Sequence, residues 1–201
     1  MFDLPKECTV NKFIPKKTFY EKLNIATGIK EEFTNLIEKI TWLYKIAPDT
    51  LGVNKTENIE EIEIFELVVK QKKIPKTVIK TITKGIPYKI LFLIKYNEEF
   101  IYAIKVDEVY FTNWNEVINI SFSGHNLEII YENIVKNIIK ESDKNENLNI
   151  IIERKSKENN LAKQIEQLKT KVKQEKQFNR KVELNNKLHG LEVEMEELLN
   201  E

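Results

Sequence analysis

Cysteine, histidine and glycine are scarce in this chain of 201 residues. Cys8 is the only cysteine, so no disulfide can form within the chain. His125 and His189 are the only histidines, and with one cysteine they do not provide the closely spaced ligands of a structural zinc site. No two of the five glycines lie close enough together for a phosphate-binding loop. The sequence therefore predicts no cofactor and no bound metal, and leaves open only magnesium held by carboxylates.

Net charge and long apolar runs are also absent. Lys+Arg and Asp+Glu both number 32, so the whole molecule has no general attraction to nucleic acid or to a membrane. The apolar runs, such as residues 90–94, are too short to cross a bilayer. The first residues lack the basic-then-apolar pattern of a secretory signal. These features predict a cytoplasmic protein with no membrane partner.

The chain does have enough hydrophobic sequence, 41%, to build a core. Apolar residues at helical spacing predict helices up to about Pro48, including one that begins near Thr27, has Tyr44 on its apolar stripe and ends before Pro48. Asn126 is predicted to cap a later helix. Apolar and β-branched runs predict strands at residues 59–69, 89–96, 100–106, 109–114 and 118–122, with a short helix at 75–84. The predicted fold over residues 1–140 is α+β, with helices packed on a mainly antiparallel sheet.

A long amphipathic helical region, residues 148–201, follows a polar linker predicted at residues 141–147. Two apolar seams repeat there at spacings of three and four residues, as in a coiled coil. The seam residues, which are the candidate interaction residues, are Leu161, Ile165, Leu168 and Val172, and then Leu184, Leu188, Leu191, Met195 and Leu198. Between the seams, twelve residues at about 100° each rotate the stripe by about 120°. The pattern predicts a C-terminal helical coiled-coil arm that dimerises or docks, or else a hairpin broken near 173–181.

Acidic and basic residues are separated along the chain. Residues 57–66 contain five acids and no base, whereas residues 67–96 contain eight lysines and no acid. Such lysines are candidates for contact with the phosphates of DNA, although a solvated lysine-rich face explains the same pattern. The candidate nucleic-acid-binding residues are Lys12, Lys16, Lys17, Lys70, Lys72, Lys73, Lys76, Lys80 and Lys84.

An alternative hypothesis is a magnesium-dependent nuclease that uses Asp49, Glu63, Glu66 and Lys70. Nucleases of the restriction type place an aspartate before a strand that carries an acid and a lysine, because carboxylates hold the metal and lysine orients water. In this chain Glu66 and Lys70 are four residues apart instead of two, which is about 13 Å along a strand. A helix end at Pro48 and a solvated edge strand explain the same residues.

Several segments resemble family 4391 of the domains of unknown function. The segments that carry the resemblance are residues 4–5, 10–20, 42–45, 48–51, 61–66, 86–87, 90–92 and 176–185. The resemblance brings no known chemistry, but it implies an association with helicases and DNA methyltransferases of restriction–modification or phage-defence systems. The predicted function is thus a non-enzymatic accessory subunit of such a system. Its expected partners are a helicase or DNA methyltransferase, a second copy of itself, and DNA.

Overall fold

A computed structural model describes residues 2–140 and 146–200. It divides into two compact units, one that ends at Lys144 and one that begins at Asn145. Residues 141–145 of the predicted linker therefore lie outside the described residues.

The first unit contains a six-stranded sheet. Its strands are β1 (Thr9–Phe13), β2 (Ile37–Ile46), β3 (Ile62–Val69), β4 (Lys89–Tyr96), β5 (Glu99–Lys105) and β6 (Val109–Phe111). The helices of this unit are α1 (Lys16–Leu23), α2 (Thr27–Leu36), α3 (Pro48–Leu51), α4 (Lys76–Gly85) and α5 (Leu127–Ile139), and a short 3-10 helix (Lys6–Cys8) precedes β1.

The strands lie in the sheet in the same order as in the chain. Every neighbouring pair is antiparallel except β3 and β4, which are parallel. Parallel neighbours need a crossover connection, and α4 supplies it. The predicted α+β class with a mainly antiparallel sheet is confirmed.

Helices α1, α2 and α4 pack together and close the main hydrophobic core against the sheet. Phe65 of β3 and Phe92 of β4 lie at the sheet side of this core, and Phe33 of α2 and Ile79 of α4 lie at its helix side. All four side chains are at most 1% exposed. Burial of four such side chains stabilises the fold by about 1.5–3 kcal/mol each.

The helix predicted to begin near Thr27 and to end before Pro48 is wrong in its second half, because α2 ends at Leu36 and residues Ile37–Ile46 form β2. The register of β2 against β3 shifts between Ile37 and Lys39. This bulge turns both Ile37 and Ile40 into the core, whereas a regular strand would point residues three apart to opposite faces. The bulge thus produces the three-residue apolar spacing of a helix. Strand β1 was likewise missed within the segment predicted to be helical.

The cap of α5 is confirmed, whereas the strand predicted at residues 118–122 is wrong. Asn126 caps α5 as expected, because its side chain accepts a hydrogen bond from the backbone N–H of Ile129 at 2.9 Å. Residues 118–122, in contrast, form no strand. Ile118 and Ile120 are half-buried and Asn119 is exposed, so the alternation in sequence reflects burial of an extended segment without pairing to the sheet.

The second unit consists of two helices, α6 (Leu148–Gln174) and α7 (Phe178–Asn200). They pack against each other, and Lys169 of α6 forms an ion pair with Glu192 of α7 at 2.9 Å. Their connection lies inside the segment 173–181, where the two seams fall out of step. The chain therefore supplies a partner helix for its own seams.

Candidate nucleic-acid interface

Helix α4 carries a row of lysines on its outer side. Val78, Ile79 and Ile82 are completely buried, whereas Lys76, Lys80 and Lys84 are exposed. Residues at spacings of four follow one face of a helix, so these three ammonium groups lie side by side over about 12 Å. The amphipathic pattern that packs α4 on the sheet also directs its lysines to solvent.

Aromatic rings lie beside Lys76 of this row and beside Lys72, which precedes α4. The Nζ of Lys72 is 5.5 Å from the centre of the Trp114 ring, and the Nζ of Lys76 is 4.8 Å from the centre of the Phe111 ring. Both distances are in the range of cation–π contacts. Phe111 is 38% exposed on strand β6, so part of its ring remains available to a ligand.

Two grooves flank α4. The first has a volume of about 460 Å³ and lies at the start of the helix. Its lining includes Lys72, Lys73, Lys76, Ile74 and Trp114. The second has a volume of about 540 Å³ at the end of the helix, and its lining includes Lys80, Lys84, Tyr88, Lys89 and Lys105. Lysine and aromatic side chains together are typical of grooves that follow a nucleic-acid strand.

Acidic residues neutralise part of this surface. Lys72 forms an ion pair with Glu99 at 2.5 Å, and Lys80 forms one with Glu108 at 2.7 Å. Within the part of the chain that the structure describes, no ion pair engages Lys73, Lys76 or Lys84. These three ammonium groups are the cations of the surface that are most available to phosphate.

The remaining predicted lysines lie elsewhere. Lys16 donates a hydrogen bond to the carbonyl oxygen of Ile37 at 2.5 Å, and Lys70 donates one to that of Thr34 at 2.8 Å. Burial, and then the nearby ammonium of Lys70, lower the pKa of Lys16. These two lysines thus fix the junction between α2 and β2. Lys12 is exposed on β1, and Lys17 forms an ion pair with Glu21 at 3.3 Å.

A second polar cluster, around Glu63, was only half anticipated by the sequence. The carboxyl of Glu63 is 5% exposed and is hydrogen-bonded to Glu61. Burial, and then Glu61, raise the pKa of Glu63 to about 8. Lys45 lies 3.0 Å from Asp49 and 3.8 Å from Glu61, and its hydrogen bond with Asp49 raises its own pKa. Lys45 was missed because it lies on β2, in the segment predicted to be helical.

The structure does not group the four residues of the nuclease hypothesis. Glu63 and Glu66 are three residues apart on the regular strand β3, so they point to opposite faces. Glu66 forms an ion pair with Lys95 at 2.6 Å, and Lys70 binds the backbone of α2. Among residues 2–140 and 146–200, no three His, Cys, Asp or Glu side chains are arranged to hold a metal ion.

The seam residues of the second unit face one another. In α7 the five seam residues are all half-buried, and in α6 Leu161 is buried while Ile165, Leu168 and Val172 are half-buried. Ile165 and Lys169 of α6 line one groove with residues of α7 that include Glu192 and Met195, and only three residues connect the two helices, so the helices run antiparallel. The hairpin brings both predicted seams into one contact.

A family model, Domain of unknown function (DUF4391), matches residues 2–195 of the chain. The chain belongs to this family. The match spans both units of this DUF4391 protein, so the hairpin is part of the family's domain as much as the sheet is. No curated protein and no solved structure shows significant similarity to the chain. None of the helices in the described ranges is long and apolar enough to cross a bilayer.

Proposed function

We propose that this protein is a non-enzymatic accessory subunit of a DNA-processing system, which binds single-stranded DNA along α4 and assembles through its C-terminal hairpin. The observation that carries the proposal is the row of lysines on α4, which begins with Lys76 beside Phe111, together with Lys72 beside Trp114 just before the helix. Lysine ammonium groups neutralise phosphates, and exposed aromatic rings stack on unpaired bases.

Single-stranded DNA fits this surface better than a duplex does. In a duplex the faces of the bases are stacked on one another and are not available to aromatic side chains, whereas in a single strand they are. The grooves beside α4 are lined by lysine, aromatic and aliphatic side chains. Such a lining favours binding to the backbone and to base faces, with little dependence on base sequence.

The assembly role rests on the second unit. A pair of helices leaves the outer sides of both helices in water, and the seam residues after Leu161 are only half-buried. Burial of such side chains in a larger coiled-coil or helical bundle would stabilise the complex. That the partner is a helicase or a DNA methyltransferase, and that the system serves restriction–modification or phage defence, follows from the resemblance alone.

Charge reversal tests the DNA-binding surface. The variant Lys73→Glu/Lys76→Glu/Lys84→Glu should bind a fluorescent single strand of about 20 nucleotides at least about tenfold more weakly than the natural chain, because three phosphate contacts are lost. Fluorescence anisotropy measures the affinity, and circular dichroism establishes that the variant is folded.

The matched control is Lys12→Glu/Lys17→Glu/Lys55→Glu, which makes the same change in net charge outside both grooves. It should keep most of the affinity. Equal weakening by the two variants would mean that binding depends on net charge and not on α4. Stronger binding of a duplex than of a single strand would contradict the proposed ligand.

A further inference from the structure

The hairpin of the second unit has opposite charges at its two ends. The basic tip, residues 171–181, surrounds the connection between the helices and contains five bases and one acid. The acidic end, residues 192–200 of α7, contains four glutamates and no base. Phe178 and Glu192 are fourteen residues apart along α7, which corresponds to about 21 Å. Lys169, just before the tip on α6, already pairs with Glu192 within the chain. The remaining charges of the two regions lie towards opposite ends of α7.

Large apolar side chains are exposed in both charged regions. Phe178 is 78% exposed and Val182 is 41% exposed in the part of α7 near or in the basic tip. Val193 is 38% exposed and Leu199 is 63% exposed in the acidic end. At about 100° per residue, Phe178, Val182 and Val193 fall within an arc of about 60° on the side of α7 opposite the seam residues. Val193 also borders the groove beside Ile165 of α6. Solvated helices normally carry polar residues at such positions.

From these two observations we infer that the outer face of α7 binds the same face of a second copy of this chain, with the two helices antiparallel. This inference deepens the assembly role proposed above and is independent of DNA binding by α4. An antiparallel pair places the basic tip of each copy against the acidic end of the other. It also brings Phe178 and Val182 of each copy towards Val193 of the other.

Charge complementarity selects this arrangement over its alternatives. A parallel pair would oppose basic tip to basic tip and acidic end to acidic end, which is repulsive at both places. In the antiparallel pair a twofold axis relates the two copies, so the contact of a basic tip with an acidic end forms twice. A DNA strand on the basic tip would leave the acidic end and its apolar residues unexplained, and the acidic end would repel the strand.

Paired charge reversals on the full chain test the inference. Each of two variants, Lys176→Glu/Lys181→Glu at the basic tip and Glu196→Lys/Glu197→Lys at the acidic end, makes like charges meet. All four side chains are exposed, so the hairpin itself should fold. Substitution of the seam residues Leu188 and Leu191 would be less informative, because they contribute to the packing of α6 on α7.

Sedimentation equilibrium should give a dimer for the natural chain, whose monomer mass is 23.8 kDa. Each double variant should dimerise at least about tenfold more weakly, corresponding to about 1.4 kcal/mol. An equimolar mixture of the two variants should recover the dimer. In the mixed dimer the glutamates introduced at the tip of one copy meet the lysines introduced at the acidic end of the other. The control Lys157→Glu/Lys163→Glu, on exposed positions of α6 outside the basic tip, should leave the dimer intact.

A monomeric natural chain at about 100 µM, where complexes with dissociation constants below the millimolar range are detected, would overturn the inference. So would dimers that persist in both variants, or a mixture that remains monomeric. Loss of oligonucleotide binding by the tip variant with an unchanged dimer would assign the tip to nucleic acid instead. Conversely, an intact dimer combined with no oligonucleotide binding would remove only the DNA-binding proposal.

Discussion

Glu63 is a buried acid with apolar side chains on one side and Glu61 as a polar neighbour. It contributes to the lining of a cavity of about 190 Å³ together with Phe19, Leu23, Trp42 and Phe65. An ionised carboxylate is poorly solvated there, and its polar neighbour Glu61 is itself acidic, so the neutral form of Glu63 is favoured. Loss of the proton from Glu63 therefore lowers the free energy of unfolding.

The stability of the protein should therefore depend on pH through Glu63. The carboxyl has a pKa of about 8 in the folded chain and about 4.5 without the surrounding fold. Well below pH 4.5 the carboxyl is neutral in the folded and the unfolded chain, and the fold has its full stability. As the pH rises towards about 8, the unfolded chain loses this proton more readily than the folded chain, so the free energy of unfolding falls. Glu63→Gln cannot ionise and should raise the free energy of unfolding at pH 9 by about 1–3 kcal/mol, with a much smaller effect at pH 5.

Urea unfolding at pH 5, 7 and 9 measures this difference, at values chosen to span the pKa of about 8. The exposed Glu98→Gln is the matched control and should show no such dependence. A Glu63→Gln variant that is less stable than the natural chain at pH 9 would show that the carboxylate is well solvated after all.

Phe111 gives a second test at the residue scale. Loss of its ring in Phe111→Ala should weaken binding of a single strand by about 1–3 kcal/mol, the contribution of one stacked base, and should affect a duplex much less. Phe13→Ala is a suitable control, because Phe13 is also exposed on an edge strand and lies outside both grooves. Equal loss in the two variants would indicate unspecific contact.

At the scale of elements, the close approach of α1 to α4 depends on Gly85. A Cβ atom at this position would lie 2.5 Å from Cδ2 and 3.0 Å from Cγ of Leu23. Gly28, in contrast, lies near the start of α2 with nothing within 4 Å of an added Cβ. The two glycines thus offer a matched pair in which the surroundings differ.

Gly85→Ala should lower the free energy of unfolding by about 1–3 kcal/mol, because Leu23 or α1 must move. Gly28→Ala should raise it by up to about 1 kcal/mol, because alanine favours the helix and meets no neighbour. Chemical denaturation measures both. A stabilising Gly85→Ala would mean that Leu23 changes rotamer at little cost.

Elements whose apolar spacing arises from one regular helix or strand were predicted correctly. The apolar runs at residues 89–96 and 100–106 form the hairpin of β4 and β5, and α4 lies within one residue of its expected position. The helix–strand junction at Leu36 was missed, because no proline or glycine marks it and the bulge in β2 imitates helical spacing. The grouping of Lys45 with Asp49 and Glu61 depends on pairing between strands, which a single sequence does not reveal.

At the scale of the whole molecule, zero net charge conceals local separation of charge. Long-range attraction to DNA should be weak, so binding should depend on the few lysines that contact phosphate. With three to five such contacts, the slope of log affinity against log salt concentration should lie between about −2 and −3.5 for a single strand. Anisotropy titrations over a range of salt concentrations measure it, and a slope near zero would exclude binding through phosphate.

Helix α4 connects the two parallel strands β3 and β4 and is held to both through the core. The outer surface of α4 itself therefore exists before any ligand arrives, whereas Lys72, Lys73 and Trp114 lie in segments outside the helices and strands. Encounter with a flexible polymer should place most of the entropic penalty on the polymer. Binding of this kind would tolerate different base sequences, as the proposed accessory role requires.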